Sequence, residues 1–304
     1  MKLKLFIALL LIVCKLSYSQ DFGDFPKIEK QKLLNDLELL YQGLDKYHSG
    51  MYWYTPKDSV DLAFQDVKNK ISKDLNVLEF HKLIAPLVSL SREGHTNISL
   101  PKDINEKIST DARFLPLTAV FIDKNLFCVK NGSGFTNFAF QGKEIELING
   151  EKPIDIVEKI GKLITSDGFI KTYRYYSLLK FKLSAYYFYY YGEIDQFKIK
   201  FKGIKESVVL NSLTIEEIEA NLDKRYKETK TVQEKDLLEY EILNDSTAYL
   251  GIHTFSNSSI DEMYDDKDLS SFLKNSFRSI DENKINKLII DMSENGGGTE
   301  GNEG

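Results

Sequence analysis

The sequence has 304 residues, 42% of them hydrophobic, and a formal net charge of −6 at pH 7. This length and composition favour a globular protein of two domains, or one domain with an appendage, over a fibrous or disordered chain. Lysine and arginine are dispersed along an acidic chain, so a nucleic-acid-binding face is not expected.

The amino-terminal segment has the pattern of a signal peptide. Lys2 and Lys4 precede the apolar run Leu5 to Val13, and Ser17-Tyr18-Ser19 has the small-x-small order that signal peptidase accepts. The apolar run is much shorter than the about 20 residues of a membrane span. We therefore predict removal of residues 1–19, export to the periplasm or the extracellular space, and no transmembrane segment after cleavage.

The two cysteines have different contexts. Cys14 offers a minor alternative, a lipid anchor, although Val13 stands where a small residue is preferred. Cys128 lies in the alternating segment "NLFCVK", which predicts a strand with a small buried thiol. Signal cleavage would leave Cys128 alone, so no intramolecular disulfide is expected.

Residues 20–111 are predicted to form a helical domain. Apolar residues recur at helical spacing in two stripes, one from Leu33 to Tyr47 and one from Val77 to Leu90. Between the stripes, Thr55 is predicted to cap a helix that begins at Pro56.

In residues 112–205 the sequence pattern changes to one that predicts short strands, and a helix is predicted to begin near Pro153. A tyrosine-rich stretch follows from Tyr173 to Tyr191. Its spacing fits helix packing at least as well as a peptide-binding groove, so no binding role is assigned to it. This mixture predicts a compact α+β module.

Residues 206–304 contain the strand-like segment "TAYLGIHTF", a helical face in "SSFLKNSFRSI", and the apolar run "KLIID". Strand, crossover helix and strand predict a parallel unit buried on both faces. The chemistry of such sheets lies beyond the carboxyl ends of the strands, where residues 291–298 stand. Overall we expect an α+β protein that ends in the beginning of an α/β core.

Three consecutive glycines, Gly296 to Gly298, follow that last strand. Glycines permit positive φ and bring backbone N–H groups close to a bound group, so the run could form an anion- or oxyanion-binding nest. A flexible tail is the alternative, because "GGGTEGNEG" also has the composition of one. A phosphate loop is not expected, since no Gly-Lys-Ser/Thr ending follows.

Three blocks stand out along the chain: "LVSLSREGHTNISLP", "GKEIELINGEKPIDIVEKI" and "KLIIDMSENGGG". Together they resemble the tail-specific, C-terminal-processing and tricorn-core-like serine peptidases. "LVSLSREGHTNISLP" is similar to the Asp-Gly-His-Thr segment of that family, with Glu93 in place of the aspartate. "GKEIELINGEKPIDIVEKI" resembles the strand and turn of its PDZ-like module. "KLIIDMSENGGG" resembles the Asp-x-Arg-x-Asn-Gly-Gly-Gly strand end, with Ser293 where arginine is commoner. The resemblance spans essentially the whole mature chain and implies that residues 112–205 are PDZ-like and residues 206–304 an incomplete protease core.

The resemblance implies a hydrolase that cleaves peptide bonds through a serine hydroxyl. Gly297 and Gly298 are the first candidates for oxyanion-hole donors, with Gly296 next, and one such donor is typically worth about 2.7–4 kcal/mol of transition-state stabilisation. His95 would be the general base in the tricorn-like branch, whereas the processing branch uses a lysine after the nucleophile. Because a histidine pKa near 6.5 suits proton abstraction, His95 is the candidate base; a partly buried histidine that fixes the turn is the alternative.

The serine of the family lies downstream of the triple-glycine segment. Ser133 lacks the glycines of a nucleophile elbow, and Ser166 in "TSDG" fits a turn. We therefore expect the chain to be a fragment of a peptidase, inactive by this mechanism because its nucleophile lies beyond Gly304. The alternative is a non-catalytic peptide-binding module.

No cofactor is implied, and a metal site is not expected because His48, His81 and His253 lack ligand spacing. The predicted partners are protein or peptide substrates. The PDZ-like module implies recognition of their carboxyl ends by strand addition.

Overall fold

The computed structural model describes residues 25–135, 140–179, 181–226, 236–264, 268–299 and 301. The predicted signal peptide, its cleavage point and Cys14 lie outside these ranges. The chain divides into two compact units, residues 1–227 and residues 228–304. Each unit is described by itself.

The first unit begins with four helices. They are α1 (Lys30–Tyr47), α2 (Lys57–Lys70), α3 (Val77–Val88), which a 3₁₀ turn (Ser89–Ser91) extends, and α4 (Lys102–Asp111). The two predicted stripes are confirmed as α1 and α3. Their apolar faces share one core with α2, in which Leu33, Leu37 and Phe64 are buried. The helical pattern of the sequence therefore reflects real burial.

Local polar groups fix where these helices begin. Asn76 accepts hydrogen bonds from the backbone of Leu78 and Glu79, and the Glu79 side chain accepts from the Asn76 amide, which completes a capping box for α3. The predicted cap at Thr55 is wrong. Its hydroxyl instead donates to the Leu90 carbonyl at 2.7 Å, and α2 begins at Lys57 without a side-chain cap. A contact between distant segments thus takes the hydroxyl that a local cap would use.

A five-stranded antiparallel sheet follows in the same unit. Its strands are β1 (Leu117–Ile122), β2 (Asn125–Asn131), β3 (Glu144–Ile148), β4 (Gln196–Phe201) and β5 (Val208–Asn211), paired in chain order. The predicted boundary at residue 205 falls between two strands that pair, β4 and β5. The predicted three-domain division stays a prediction.

Helices accompany this sheet. They are α5 (Pro153–Ile160), a 3₁₀ turn (Gly161–Leu163), α6 (Thr172–Ser177), α7 (Lys182–Tyr191) and α8 (Ile215–Tyr226). The helix predicted near Pro153 is confirmed as α5. On α7, Tyr187 is buried and its ring contacts Phe197 edge to face, as helix packing predicts. Cys128 is buried on β2, and burial raises the pKa of its thiol to about 12.

The second unit contains β6 (Leu238–Asn244), β7 (Thr247–Ile252), α9 (Asn257–Met263), α10 (Leu269–Glu282) and β8 (Lys287–Asp291). β6 pairs antiparallel with β7, and β7 pairs parallel with β8. The predicted parallel strand-helix-strand unit is therefore confirmed. It is built on a small core that includes Leu250, Ile252 and Leu269.

Strand β8 is more exposed than the sequence predicted. The sequence predicted a strand buried on both faces, yet Ile289 and Ile290 are 48% and 53% exposed within the described residues. β8 is an outer strand of the sheet β6-β7-β8, and the described residues leave both of its faces partly uncovered at these positions. No helix in the described ranges is both long and apolar enough to cross a membrane.

Candidate functional site

The segment after β8 begins with a carboxylate-anchored turn. One oxygen of Asp291 accepts from the Ser293 amide at 2.9 Å and from its hydroxyl at 2.7 Å, and the other accepts from the Tyr249 hydroxyl at 2.9 Å. The Ser293 bonds, and then the Tyr249 bond, lower the pKa of Asp291 to about 2. An ionised Asp291 therefore ties the loop to β7.

The glycine segment is attached to the chain that follows β7. The Asn295 side chain donates to the Ile252 carbonyl at 3.0 Å, and the Phe255 amide donates to the Gly297 carbonyl at 2.9 Å. The Thr299 amide donates to the Phe255 carbonyl at 2.8 Å. Up to Thr299, the glycine segment is therefore a hydrogen-bonded loop rather than the flexible tail that its composition allowed. Residues 300 and 302–304 lie outside the described ranges.

The three glycine amides differ in their hydrogen bonding. The Gly297 N–H donates to the Asn295 side-chain oxygen at 2.8 Å, so it serves the loop itself. Gly298 forms a parallel bridge with Phe255 whose two hydrogen bonds are made by the residues on either side of Gly298. Neither the Gly296 nor the Gly298 N–H has an acceptor in the described part of the chain. Gly298 and Gly296 are thus better placed than Gly297 to donate to an external group.

Gly298 also has a packing reason to be glycine. A Cβ atom there would lie 2.1 Å from the backbone carbon of Phe255 and 2.1 Å from the Ser256 nitrogen, and its φ is +157°. A Cβ on Gly296 would meet nothing within 4 Å. Only the last of the three glycines is required by close backbone approach.

The second candidate group lies in the first unit, directly after the 3₁₀ turn that ends α3. Oxygen Oε1 of Glu93 accepts from the His95 amide at 2.9 Å and lies 3.0 Å from His95 Nδ1, and Oε2 accepts from the Thr96 hydroxyl. The Thr96 bond first, with the His95 bonds, lowers the pKa of Glu93 to about 2. Because an ionised carboxylate can only accept, Nδ1 of His95 carries the proton and Nε2 is left as the basic nitrogen.

His48 extends this network from the end of α1. Its Nδ1 accepts from the Gly50 amide at 3.2 Å, and its Nε2 lies 2.9 Å from the Thr96 hydroxyl oxygen. Since Thr96 donates to Glu93, it accepts from His48 Nε2–H. The His95 side chain is 98% exposed, so its free nitrogen faces solvent. A chain of hydrogen bonds thus runs from His48 through Thr96 and Glu93 to His95, here called the Glu93–His95 network.

A cavity of about 430 Å³ adjoins this network. Its walls come from Tyr47 at the end of α1, residues 48–50 and 53–54 before α2, residues 91–93 and Thr96 after α3, and Asp167. Asp167 accepts from the Gly94 amide at 2.6 Å, and the Gly168 amide donates to the Arg92 carbonyl at 2.8 Å. These two bonds join the wall segment after α3 to residues 167–168, and the His48–Thr96 bond joins it to the wall segment before α2.

The other residues that the sequence singled out have structural surroundings. Ser133 is buried and its hydroxyl donates to Asn131, and the Ser166 hydroxyl donates to the Ile170 carbonyl. Burial lowers the pKa of His81, one nitrogen of which contacts the Ile98 carbonyl. His253 is buried with Nε2 3.4 Å from a Glu239 oxygen. In the described ranges, no three His, Cys, Asp or Glu side chains cluster as a metal site would require.

Sequence reasoning singled out His95 and the glycines, whose roles stay predictions, but not the partners that orient His95. Glu93 was noted only as a replacement for aspartate, although its place two residues before His95 allowed the contact. His48 lies 48 residues before Thr96 and carried no signal in the linear pattern.

Comparison with solved structures finds similar folds at low sequence identity. Among them are structures of CPAF, a chlamydial serine protease related to tail-specific proteases. A CPAF mutant matches with a TM-score of 0.51 at 15% identity, over 89% of this chain and 57% of the CPAF chain. Mature CPAF matches with a TM-score of 0.50 at 15% identity, over 89% and 56%. CPAF complexed with lactacystin matches with a TM-score of 0.51 at 12% identity, over 89% and 57%.

These matches show a peptidase-like fold of mixed helix and sheet. The chain spans a little over half of the CPAF chains that it matches. No protein-family profile matches the sequence. No curated protein matches it either. Membership of the tail-specific family and the PDZ-like character of the module stay predictions.

Proposed function

We propose that this chain belongs to an exported serine-type peptidase in which His95 is the general base. The observation that carries the proposal is the Glu93–His95 network, because an ionised Glu93 beside Nδ1 leaves Nε2 free to take a proton from a hydroxyl. The fold shared with CPAF, a serine protease, supports the same assignment. The family resemblance contributes the expectation of a peptide or protein substrate.

The glycine loop has the oxyanion-stabilising role in this proposal. Gly298 is the principal donor and Gly296 the next, because both amides lack an acceptor in the described residues, while the Gly297 amide shapes the loop through Asn295. The nucleophilic serine is not assigned to any residue of this sequence. Ser133 and Ser166 already make structural hydrogen bonds.

The test is labelling of the protein from the complete reading frame by a fluorophosphonate, a reagent for activated serines. We expect labelling that His95→Ala abolishes. Glu93→Gln should slow it by about 10²–10⁴-fold, because the amide no longer fixes the imidazole tautomer. Glu93→Asp restores the carboxylate and should retain labelling. Labelling that is independent of His95 would contradict the proposal.

A second candidate is a non-catalytic peptide-binding module. The observation that favours it is that both serines considered as nucleophiles are held by structural hydrogen bonds. Absence of labelling, together with calorimetric binding of peptides, would favour this candidate.

Recognition of carboxyl ends is part of the same proposal for residues 112–205. A peptide with a free carboxyl terminus should then bind more tightly than its amidated counterpart in a calorimetric titration. Equal binding of the two peptides would exclude this mode of recognition.

A further inference from the structure

The cavity beside the Glu93–His95 network carries aromatic rings and excess negative charge. Trp53 and Tyr47, each 77% exposed, stand with Tyr54 in its wall. Three charged side chains line it, the carboxylates of Glu93 and Asp167 and the guanidinium-bearing Arg92. The formal charge of the lining is therefore negative.

The positive charge of Arg92 is already engaged. Its Nη1 donates to the Gly168 carbonyl at 3.2 Å, and its guanidinium carbon lies 4.5 Å from the centre of the Phe169 ring. Neither Gly168 nor Phe169 belongs to the cavity wall. The guanidinium is thus drawn toward the segment that follows Asp167.

An unused polar group adds an independent sign of a ligand. Ser91 lines the cavity, is only 1% exposed, and its hydroxyl oxygen has no hydrogen-bond partner in the described residues. A buried hydroxyl without a partner costs stability unless something pairs with it. Its oxygen can accept from an ammonium or guanidinium group.

We propose that this cavity is a specificity subsite for a cationic side chain, lysine or arginine, of the peptide substrate. The aromatic face of Trp53 would hold the cation by cation–π contact, and Asp167 and Glu93 would neutralise it. A volume of about 430 Å³ accommodates one long side chain. The inference rests on the proposed function for its substrate class, and it names the residue that the site selects.

The experiment uses the intrinsic fluorescence of the protein, because Trp53 is the single tryptophan of the sequence. The probes are Nα-acetyl-lysine amide, its neutral counterpart Nα-acetyl-norleucine amide, and Nα-acetyl-glutamate amide. We expect saturable changes in Trp53 emission with the lysine probe, at lower concentration than with the norleucine probe, and none with the glutamate probe.

Two matched variants locate the binding. Asp167→Asn keeps an oxygen that can accept from the Gly94 amide but removes the charge, and it should weaken lysine binding by about 2–5-fold. Asp103→Asn changes the net charge equally at an exposed position on α4 and should leave binding unchanged. Equal responses to the lysine and norleucine probes, a preference for glutamate, or no response would overturn the subsite.

The failure of this proposal is distinguishable from failure of the peptidase assignment. The fluorescence titration requires no nucleophile, so it reads the cavity alone. Serine labelling together with equal fluorescence responses to the lysine and norleucine probes would contradict only the subsite. A fluorescence response selective for the lysine probe, without serine labelling, would contradict only the peptidase assignment.

Discussion

Glu93 is the residue whose chemistry most determines the candidate site. It accepts hydrogen bonds from Thr96 and from the backbone of His95, and its carboxylate faces Nδ1 of His95. The geometry resembles the acidic member of a serine-protease triad in what it does to the histidine, which is to fix the tautomer.

The lowered pKa of Glu93 predicts a pH dependence with a definite sign. The pKa of Glu93 falls from 4.5 to about 2 on folding, so its stabilising contribution is complete above about pH 4.5 and is lost as pH falls through about 2. The Glu93 carboxyl carbon, followed by NMR, should titrate near pH 2. The Thr96 amide should shift with it in the wild-type protein but not in Glu93→Gln. A midpoint near 4.5 would contradict the network.

Among the elements, the loop after β8 is the one whose shape the structure explains most fully. Asp291 fixes its start, Asn295 ties its middle to Ile252, and Gly298 passes against Phe255 at a distance that excludes a side chain. The shape of the loop thus depends on contacts with Ile252 at the end of β7 and with Phe255 just after it, as well as on its own sequence.

The contacts of this loop predict different outcomes for alanine substitution at Gly298 and at Gly296. Gly298→Ala places a methyl group against backbone atoms of Phe255 and Ser256 and should destabilise the loop by about 1–3 kcal/mol, whereas Gly296→Ala should change stability by less than about 0.5 kcal/mol. Hydrogen exchange of the Phe255 and Thr299 amides measures the effect. Equal exchange in the two variants would argue against the close approach.

Strand β2 carries a prediction about Cys128. Burial raises the pKa of its thiol to about 12, so almost no thiolate exists at pH 8 and alkylating reagents should not modify the native protein. In a Cys14→Ser background, iodoacetamide should modify Cys128 only after denaturation. Rapid modification of the folded protein would show that β2 is open to solvent.

Local sequence patterns were sufficient to predict several helices and strands, but not the contacts between distant segments. Helical stripes predicted α1 and α3, and the run around Asp291 predicted the parallel partner of β7, because both signals depend on residues close in the chain. The hydrogen bonds of Thr55 and His48 could not be predicted, because their partners, Leu90 and Thr96, are 35 and 48 residues away along the chain. The exposure of Ile289 depends on which elements lie beside and over β8. An apolar run in the sequence does not contain that information.

At the scale of the whole molecule, the chain combines two compact units with a peptidase-like fold. The Glu93–His95 network belongs to the first unit and the glycine loop to the second.

The predicted signal peptide determines which residue should be the amino terminus of the mature protein. After expression in a bacterium with a secretion pathway, mass spectrometry of the secreted product should give a chain that begins at Gln20. A lipid-modified chain that begins at Cys14 would contradict signal-peptidase cleavage. An uncleaved amino terminus would contradict export by this signal.

The measurement that tests the central claim most directly is the tautomer of His95, read from long-range ¹⁵N–¹H NMR spectra of the imidazole at pH 8. We predict a proton on Nδ1 and a bare Nε2 in the wild-type protein and in Glu93→Asp, and a shift toward the Nε2–H form in Glu93→Gln. An Nε2–H tautomer in the wild-type protein, or one that Glu93→Gln leaves unchanged, would contradict the assignment of His95 as a base oriented by Glu93.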